Sequence, residues 1–132
     1  MGEELTIYKC NICGNVVEVI IDGGAVPVCC GHEMEKQLPQ TQDMFAEKHV
    51  PFVTFEDENG YVKVKIQIGE LEHPMTDDHY IQFIEAYSKD KVYVKRKVLN
   101  AKDKPELKFL NRKDEMIVRA YCNIHGLWEK VL

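Results

Sequence analysis

The chain has 132 residues, 45% of them hydrophobic, with 17 Lys and Arg against 22 Asp and Glu for a net charge of −5. That length fits one domain, or a medium domain with a small appendage. The acidic balance, with no run of Lys and Arg forming a stripe, excludes nucleic acid as the expected partner.

The first residues, Met1-Gly2-Glu3-Glu4-Leu5, carry neither a basic segment nor an apolar stretch long enough for a signal peptide or a membrane span. A cytoplasmic address and no membrane partner are therefore the expectation. In that reducing compartment clustered cysteines serve as metal ligands or redox groups more often than as disulfides. The chain has five, an odd number.

In chain order, segments 5–9 and 15–21 are β-rich and flank Cys10-Asn11-Ile12-Cys13-Gly14. Asp22-Gly23-Gly24 supplies a turn, and Val28-Cys29-Cys30-Gly31 follows. Up to about residue 37 the pattern predicts two or three short strands, too small a unit to bury an adequate core without a staple. From about residue 41 the strands lengthen. In 61–68, Val62, Val64, Ile66 and Ile68 alternate with Tyr61, Lys63, Lys65 and Gln67, the period of a half-buried strand. Asn59-Gly60 predicts a two-residue hairpin pairing that strand with 50–55. Further strands are expected at 79–87, 91–99, 106–111, 115–121 and 127–131, a spacing that suits a sandwich or a barrel. Long helices are not expected.

Two constellations carry chemistry. Cys10 and Cys13, at C-x2-C spacing, can clamp one metal, and Cys29 with Cys30 can complete a thiolate cage; zinc and a single iron both accept such a set. Adjacent residues ordinarily point their side chains apart, so binding through Cys29-Cys30 predicts a distorted, rubredoxin-like iron centre. The second set is Cys122 with His125 at C-x2-H spacing, and His49, His73 and His79 near strand ends or in loops. Singly, each histidine reads most simply as a surface or hydrogen-bonded residue. Together they are coherent: imidazoles suit iron, a thiolate pushes electron density onto it, and five ligands leave a sixth position open. His32 is expected at the surface, and Tyr121 and Trp128 as packing residues.

C-x2-C with an adjacent Cys-Cys, then Glu47-Lys48-His49-Val50-Pro51, His73-Pro74-Met75-x3-His79 and Cys122-Asn123-Ile124-His125-Gly126-x-Trp128, in this order, resembles the desulfoferrodoxin family of two-iron superoxide reductases. The resemblance implies an all-β chain: a desulforedoxin-like iron module at 1–37 and an immunoglobulin-like β-sandwich at 38–132. It implies two mononuclear non-haem irons. The first would be held by Cys10, Cys13, Cys29 and Cys30; the second by His49, His73, His79 and His125 equatorially, with Cys122 axial. Lys48 would guide superoxide and help protonate the product, and Glu47 would coordinate the ferric ion after turnover. A homodimer, with rubredoxin or a similar donor supplying electrons, completes the implied picture of an enzyme of oxidative-stress detoxification. Three other readings compete: an electron carrier with structural histidines, a superoxide dismutase, and a zinc-stabilised interaction domain.

Overall fold

A computed structural model describes residues 4–41, 49–59, 61–69, 73–111 and 115–132. The chain divides into two compact units, Met1–Leu38 and Pro39–Leu132.

The first unit has five strands of two or three residues: β1 (Ile7–Lys9), β2 (Val16–Glu18), β3 (Val28–Cys29), β4 (His32–Glu33) and β5 (Glu35–Gln37). β1 is the centre of an antiparallel sheet ordered β2-β1-β5, and β3 pairs with β4 as a separate hairpin. Its buried apolar side chains among the described residues are few: Leu5, Ile7, Cys10 and Met34. Such a core cannot offset the chain entropy of a unit this size, so the cysteine cluster must carry part of the stability. The two-residue loop of β3-β4 is Cys30-Gly31, with φ of 53° and 75°. Two successive positive φ values define the turn whose twist matches the flanking strands.

The second unit has seven strands: β6 (Pro51–Glu58), β7 (Tyr61–Ile68), β8 (Ile81–Ser88), β9 (Val94–Val98), β10 (Glu106–Asn111), β11 (Met116–Cys122) and β12 (Gly126–Val131). They form an antiparallel three-stranded sheet, β10-β7-β6, and a four-stranded sheet, β12-β11-β8-β9. This is an immunoglobulin-like sandwich, and no α-helix is assigned as an element among the described residues. β6 pairs with β7 from Pro51 opposite Ile68 to Glu58 opposite Tyr61, with Asn59 at φ 48° in the connection. The core follows the alternation: Val64, Ile66 and Ile68 of β7 pack with Ile84 and Ala86 of β8 and with Val118, Ala120 and Cys122 of β11. Burying a side chain of this size is worth about 1.5–3 kcal/mol, so these positions hold the two sheets together.

The other face of the four-stranded sheet also buries charge. Glu85 on β8 is fully buried, and Arg119 on β11 binds it through Nε (3.1 Å) and through a short contact from Nη2. Arg96 on β9 reaches the second carboxylate oxygen at 2.8 Å. The Arg119 guanidinium lies 4.8 Å from the Tyr87 ring centre.

Candidate metal centres

In the first unit, residues 10–14 form a tight turn. Cys10 N–H donates to Asn15 O at 2.8 Å and Gly14 N–H to Cys10 O at 2.9 Å, with Gly14 at φ 83°. The turn lays Cys13 N–H against Cys10 Sγ at 3.4 Å. Asn11 Nδ2 donates to Glu35 Oε2 at 2.6 Å, tying the turn to β5. Cys29 arrives on β3. Cys30 stands next to it in the left-handed region, and that backbone turn swings its sulfur to the same side, 4.0 Å from Cys29 Sγ. Cys13 Sγ is 3.5 Å from Cys29 Sγ. A tetrahedron of sulfurs about 2.3 Å from a metal has edges of about 3.8 Å, between these two values. All four sulfurs lie within 4.8 Å of one another.

The thiols perturb one another. The N–H groups of Cys13 and Ile12 draw Cys10 down to about 6. Hydrogen bonding with Cys13, then Cys10, pushes Cys29 up to about 12, and Cys30 rises for the same first reason. Four thiolates in contact repel unless a metal neutralises them. The donor set therefore fits one thiolate-bound metal ion.

In the second unit the ligand-type residues come from four places at one end of the sandwich. His49 lies two residues before β6, His73 follows β7, His79 precedes β8, and Cys122 and His125 flank the β11-β12 turn. Their candidate ligand atoms lie within 4.8 Å of one another. The four imidazoles form a closed square: successive ring centres from His49 through His73, His79 and His125 back to His49 are 4.9, 4.7, 4.9 and 4.7 Å apart. Each ring is steeply tilted to the next, at 68–84°. A square of side about 4.8 Å has a half-diagonal of about 3.4 Å, and subtracting about 1.2 Å from ring centre to nitrogen leaves about 2.2 Å, a metal–imidazole distance. His49 Nε2 and His125 Nδ1 are 3.0 Å apart, the separation of two nitrogens at right angles on one ion.

Each ring is fixed from outside. His73 Nδ1 faces Pro74 O at 2.7 Å, which leaves Nε2 pointing inward, buried and with no hydrogen-bond partner among the described residues. His79 Nε2 is in the same position, and its loop is closed by paired hydrogen bonds between Thr76 and His79. His49 stacks on buried Trp128 at 4.9 Å. Two buried imidazole nitrogens without partners are costly unless a metal takes their lone pairs. Burial holds His73 down at about 4, and burial, then the His125 ring, lowers His79, so both rings are neutral and ligand-ready at neutral pH.

Cys122 lies at 0% exposure where the β8-β11 register shifts between Tyr121 and Cys122. Burial raises its thiol, and the N–H groups of His125 and Ile124 lower it in part. His125 N–H reaches Cys122 Sγ at 3.4 Å. The turn closes through Gly126 at φ 84°, where an added Cβ would come 3.2 Å from Gln40 Nε2.

Sequence reasoning named all nine ligand-type residues that the fold gathers into these two groups. Lys48 and Glu47 lie outside the described residues. Three contributors were missed. Asn123 accepts Tyr80 N–H on Oδ1 at 2.9 Å and donates from Nδ2 to Asp78 O at 3.1 Å, fastening the Cys122 turn to the His79 loop. Gln40 donates to His125 O at 2.8 Å and lays its backbone along β12. Trp128 is buried as a packing residue should be, but it also sets the plane of His49. A signal for Asn123 was present: Cys-Asn-Ile-Cys-Gly at 10–14 recurs as Cys-Asn-Ile-His-Gly at 122–126.

Comparison with known proteins bears on both units. Residues 2–37 match the family described as desulfoferrodoxin, N-terminal domain, and residues 41–131 match desulfoferrodoxin. A desulfoferrodoxin homolog of Methanothermobacter thermautotrophicus is 44% identical over 129 residues, 97% of this chain and 99% of its own. A superoxide reductase of Pyrococcus abyssi is 35% identical and covers 73% of this chain and 95% of its own. Among solved structures, the superoxide reductase from Treponema pallidum superposes with a TM-score of 0.73 at 26% identity, over 98% of this chain and 99% of that one. A thiolate cage in a small β-module, a square of imidazoles next to a buried cysteine in a seven-stranded sandwich, and matches spanning both units have one explanation: the chain belongs to the desulfoferrodoxin family.

Proposed function

We propose that the protein is a superoxide reductase that adds one electron and two protons to superoxide, giving hydrogen peroxide. The observation that carries this reading is the square of His49, His73, His79 and His125 with Cys122 held buried behind it. These five are the ligands of the catalytic iron, and Cys10, Cys13, Cys29 and Cys30 those of the second. Iron, when bound in the square, supplies the electron and one open position for an oxygen ligand.

The chain's own residues do the rest. Pro74 O and the Trp128 face hold His73 and His49 in orientation. The His125 and Ile124 N–H groups take density from the Cys122 sulfur and so moderate its push on the metal. Lys48, next to His49 in sequence, draws the superoxide anion toward a chain of net negative charge and holds a proton-bearing water for the product oxygen. Glu47 offers a hard carboxylate that favours the ferric state and helps displace product. The 1–37 and 38–132 segments act as separate iron domains. The working enzyme is a cytoplasmic homodimer fed by rubredoxin or a similar one-electron donor, a reading that family membership supports.

The test is anaerobic purification, iron per chain, and superoxide consumption with and without an external reductant. Two irons and consumption that stops when the reductant runs out support the reading. Catalytic consumption without reductant indicates dismutation, and one iron per chain indicates the electron carrier.

A further inference from the structure

Eight of the chain's 17 Lys and Arg fall within residues 89–108, against three of its 22 Asp and Glu. Part of this basic stretch, residues 101–104, lies beside His73. Residues 100–103 form a turn locked by Asn100 N–H to Asp103 Oδ2 at 2.7 Å and Asp103 N–H to Asn100 O at 3.0 Å. Pro105 O accepts Ile68 N–H at 3.0 Å, and Ile68 O accepts His73 N–H at 3.2 Å, so the turn is anchored one residue pair away from an iron ligand. Between them lies an open depression of about 480 Å³, with His73, Pro74 and Met75 on one wall and Ala101, Lys102, Asp103 and Lys104 on the other. Lys104 Nζ also lies 3.7 Å from Glu106 Oε2, an exposed-lysine pair that leaves Lys102 the stronger attractor of an incoming carboxylate.

Pro74 is exposed, and its carbonyl is bonded to His73 Nδ1 at 2.7 Å. The depression floor is therefore connected to the iron through one hydrogen bond and one imidazole. The loop before His79, the ring next to His73 in the square, exposes Asp77 and Asp78, which would repel an acidic protein and confine it to the Lys102 side.

We propose that this depression is the docking seat of an acidic one-electron carrier protein, whose carboxylates pair with Lys102 and Lys104 and whose electron reaches the iron through Pro74 and His73. The inference rests on the externally reduced enzyme proposed above and locates where the donor binds. The step is a bare electron transfer: the carrier loses one electron, the ferric centre gains one, and no bond is made or broken. Opposite charge raises the encounter rate and selects the partner, and both effects weaken with salt.

The experiment uses the full iron-loaded protein and a Lys102→Glu/Lys104→Glu double variant, with iron content and visible spectrum recorded to show that the centre is intact. Each oxidised protein is mixed in stopped flow with a reduced acidic rubredoxin at low and high salt. The double variant should be reduced about tenfold or more slowly at low salt, with the wild-type salt dependence abolished. Addition of rubredoxin should shift the backbone amide resonances of residues 101–103 in the wild type only. Pulse-generated superoxide should be consumed by both reduced proteins at equal rates. An unchanged reduction rate, or a loss confined to the superoxide reaction, overturns the proposal. Failure of both proteins to consume superoxide overturns the enzymatic reading instead, while the rubredoxin comparison still decides the docking site.

Discussion

Cys10 and Cys122 hold the same place in two copies of one turn. Each is followed by Asn-Ile, a second ligand-type residue and a glycine, at φ 83° for Gly14 and 84° for Gly126. Each sulfur lies 3.4 Å from the N–H three residues on. The chain thus uses one backbone device to orient a metal thiolate in two unrelated surroundings: a module with almost no core, and the end of a well-packed sandwich. The copies diverge at the fourth position, Cys13 against His125, and that difference separates a cage of sulfurs from a mixed site with an open face.

Cys122→Ser should remove the metal, and the visible bands, of the imidazole site alone, leaving the absorption of the four-cysteine site in place. Iron content should fall from two to one per chain. Bands that are indifferent to Cys122 would detach the sulfur from the square of histidines.

Asn123→Ala removes the two side-chain hydrogen bonds that join the Cys122 turn to the His79 loop, leaving the backbone bond from Asn123 N–H to Tyr80 O. Outer partners of metal ligands typically contribute about 10–100-fold in metal affinity. Competition with a chelator should show a loss in that range at the imidazole site and none at the four-cysteine site.

Gly126→Ala should destabilise the sandwich by about 1–2 kcal/mol, since it forces a side chain into the left-handed region and presses a Cβ toward Gln40 Nε2. At Gly31, φ is 75° but nothing lies within 4 Å of a Cβ. Gly31→Ala should therefore cost only the backbone strain, about 1 kcal/mol. Denaturant titration of the two variants separates crowding from conformation.

Arg119→Met leaves buried Glu85 with the part-exposed Arg96 as its remaining counter-ion among the described residues. Removing one partner of a buried pair costs about 3–5 kcal/mol. A thermal melt should show a loss of that order, larger than for Arg96→Met.

Burial pushes Tyr87 up to about 12 from an ordinary 10. The unfolded chain therefore gives up this proton first as pH rises. Stability from the neutral phenol is whole below pH 10 and drains away between about pH 10 and 12, by at most about 2–3 kcal/mol. Wild type and Tyr87→Phe, unfolded at pH 9 and pH 11, should differ less at the higher pH; a constant gap would disprove the shift.

Much of this was legible in the residues because the dominant forces act locally along a strand. The alternation Val64-x-Ile66-x-Ile68 specifies the inner face of β7, and Asn59-Gly60 specifies the β6-β7 hairpin, so both appear where expected. Strand ends were less legible: 91–99 shrinks to Val94–Val98 because Lys91 adopts φ 64° and Ser88 bonds the intervening turn. In the small module β3, β4 and β5 are too short to show any period. The adjacency of Cys29 and Cys30 suggested sulfurs pointing apart; the left-handed Cys30 reconciles them, and no side-chain pattern encodes a φ value. Nine ligand-type residues were legible from their chemistry, but Asn123 and Gln40 act through backbone carbonyls and amides that only the folded chain brings within reach.

The four places that supply the imidazole square lie between or before strands of both sheets, with 76 residues separating His49 from His125. An ion seated there is a rivet through the whole thickness of the sandwich at one pole, while the hydrophobic core secures the middle without it. Stripping the ion should therefore not melt the domain. It should loosen a single end, seen as faster amide exchange near residues 49, 73–79 and 122–126 and unchanged protection along the centres of β7, β8 and β11. Ligands this far apart meet only after the sheets have closed, so the protein must fold before it can load, and each newly made chain passes through a state with a finished interior and an unlatched mouth.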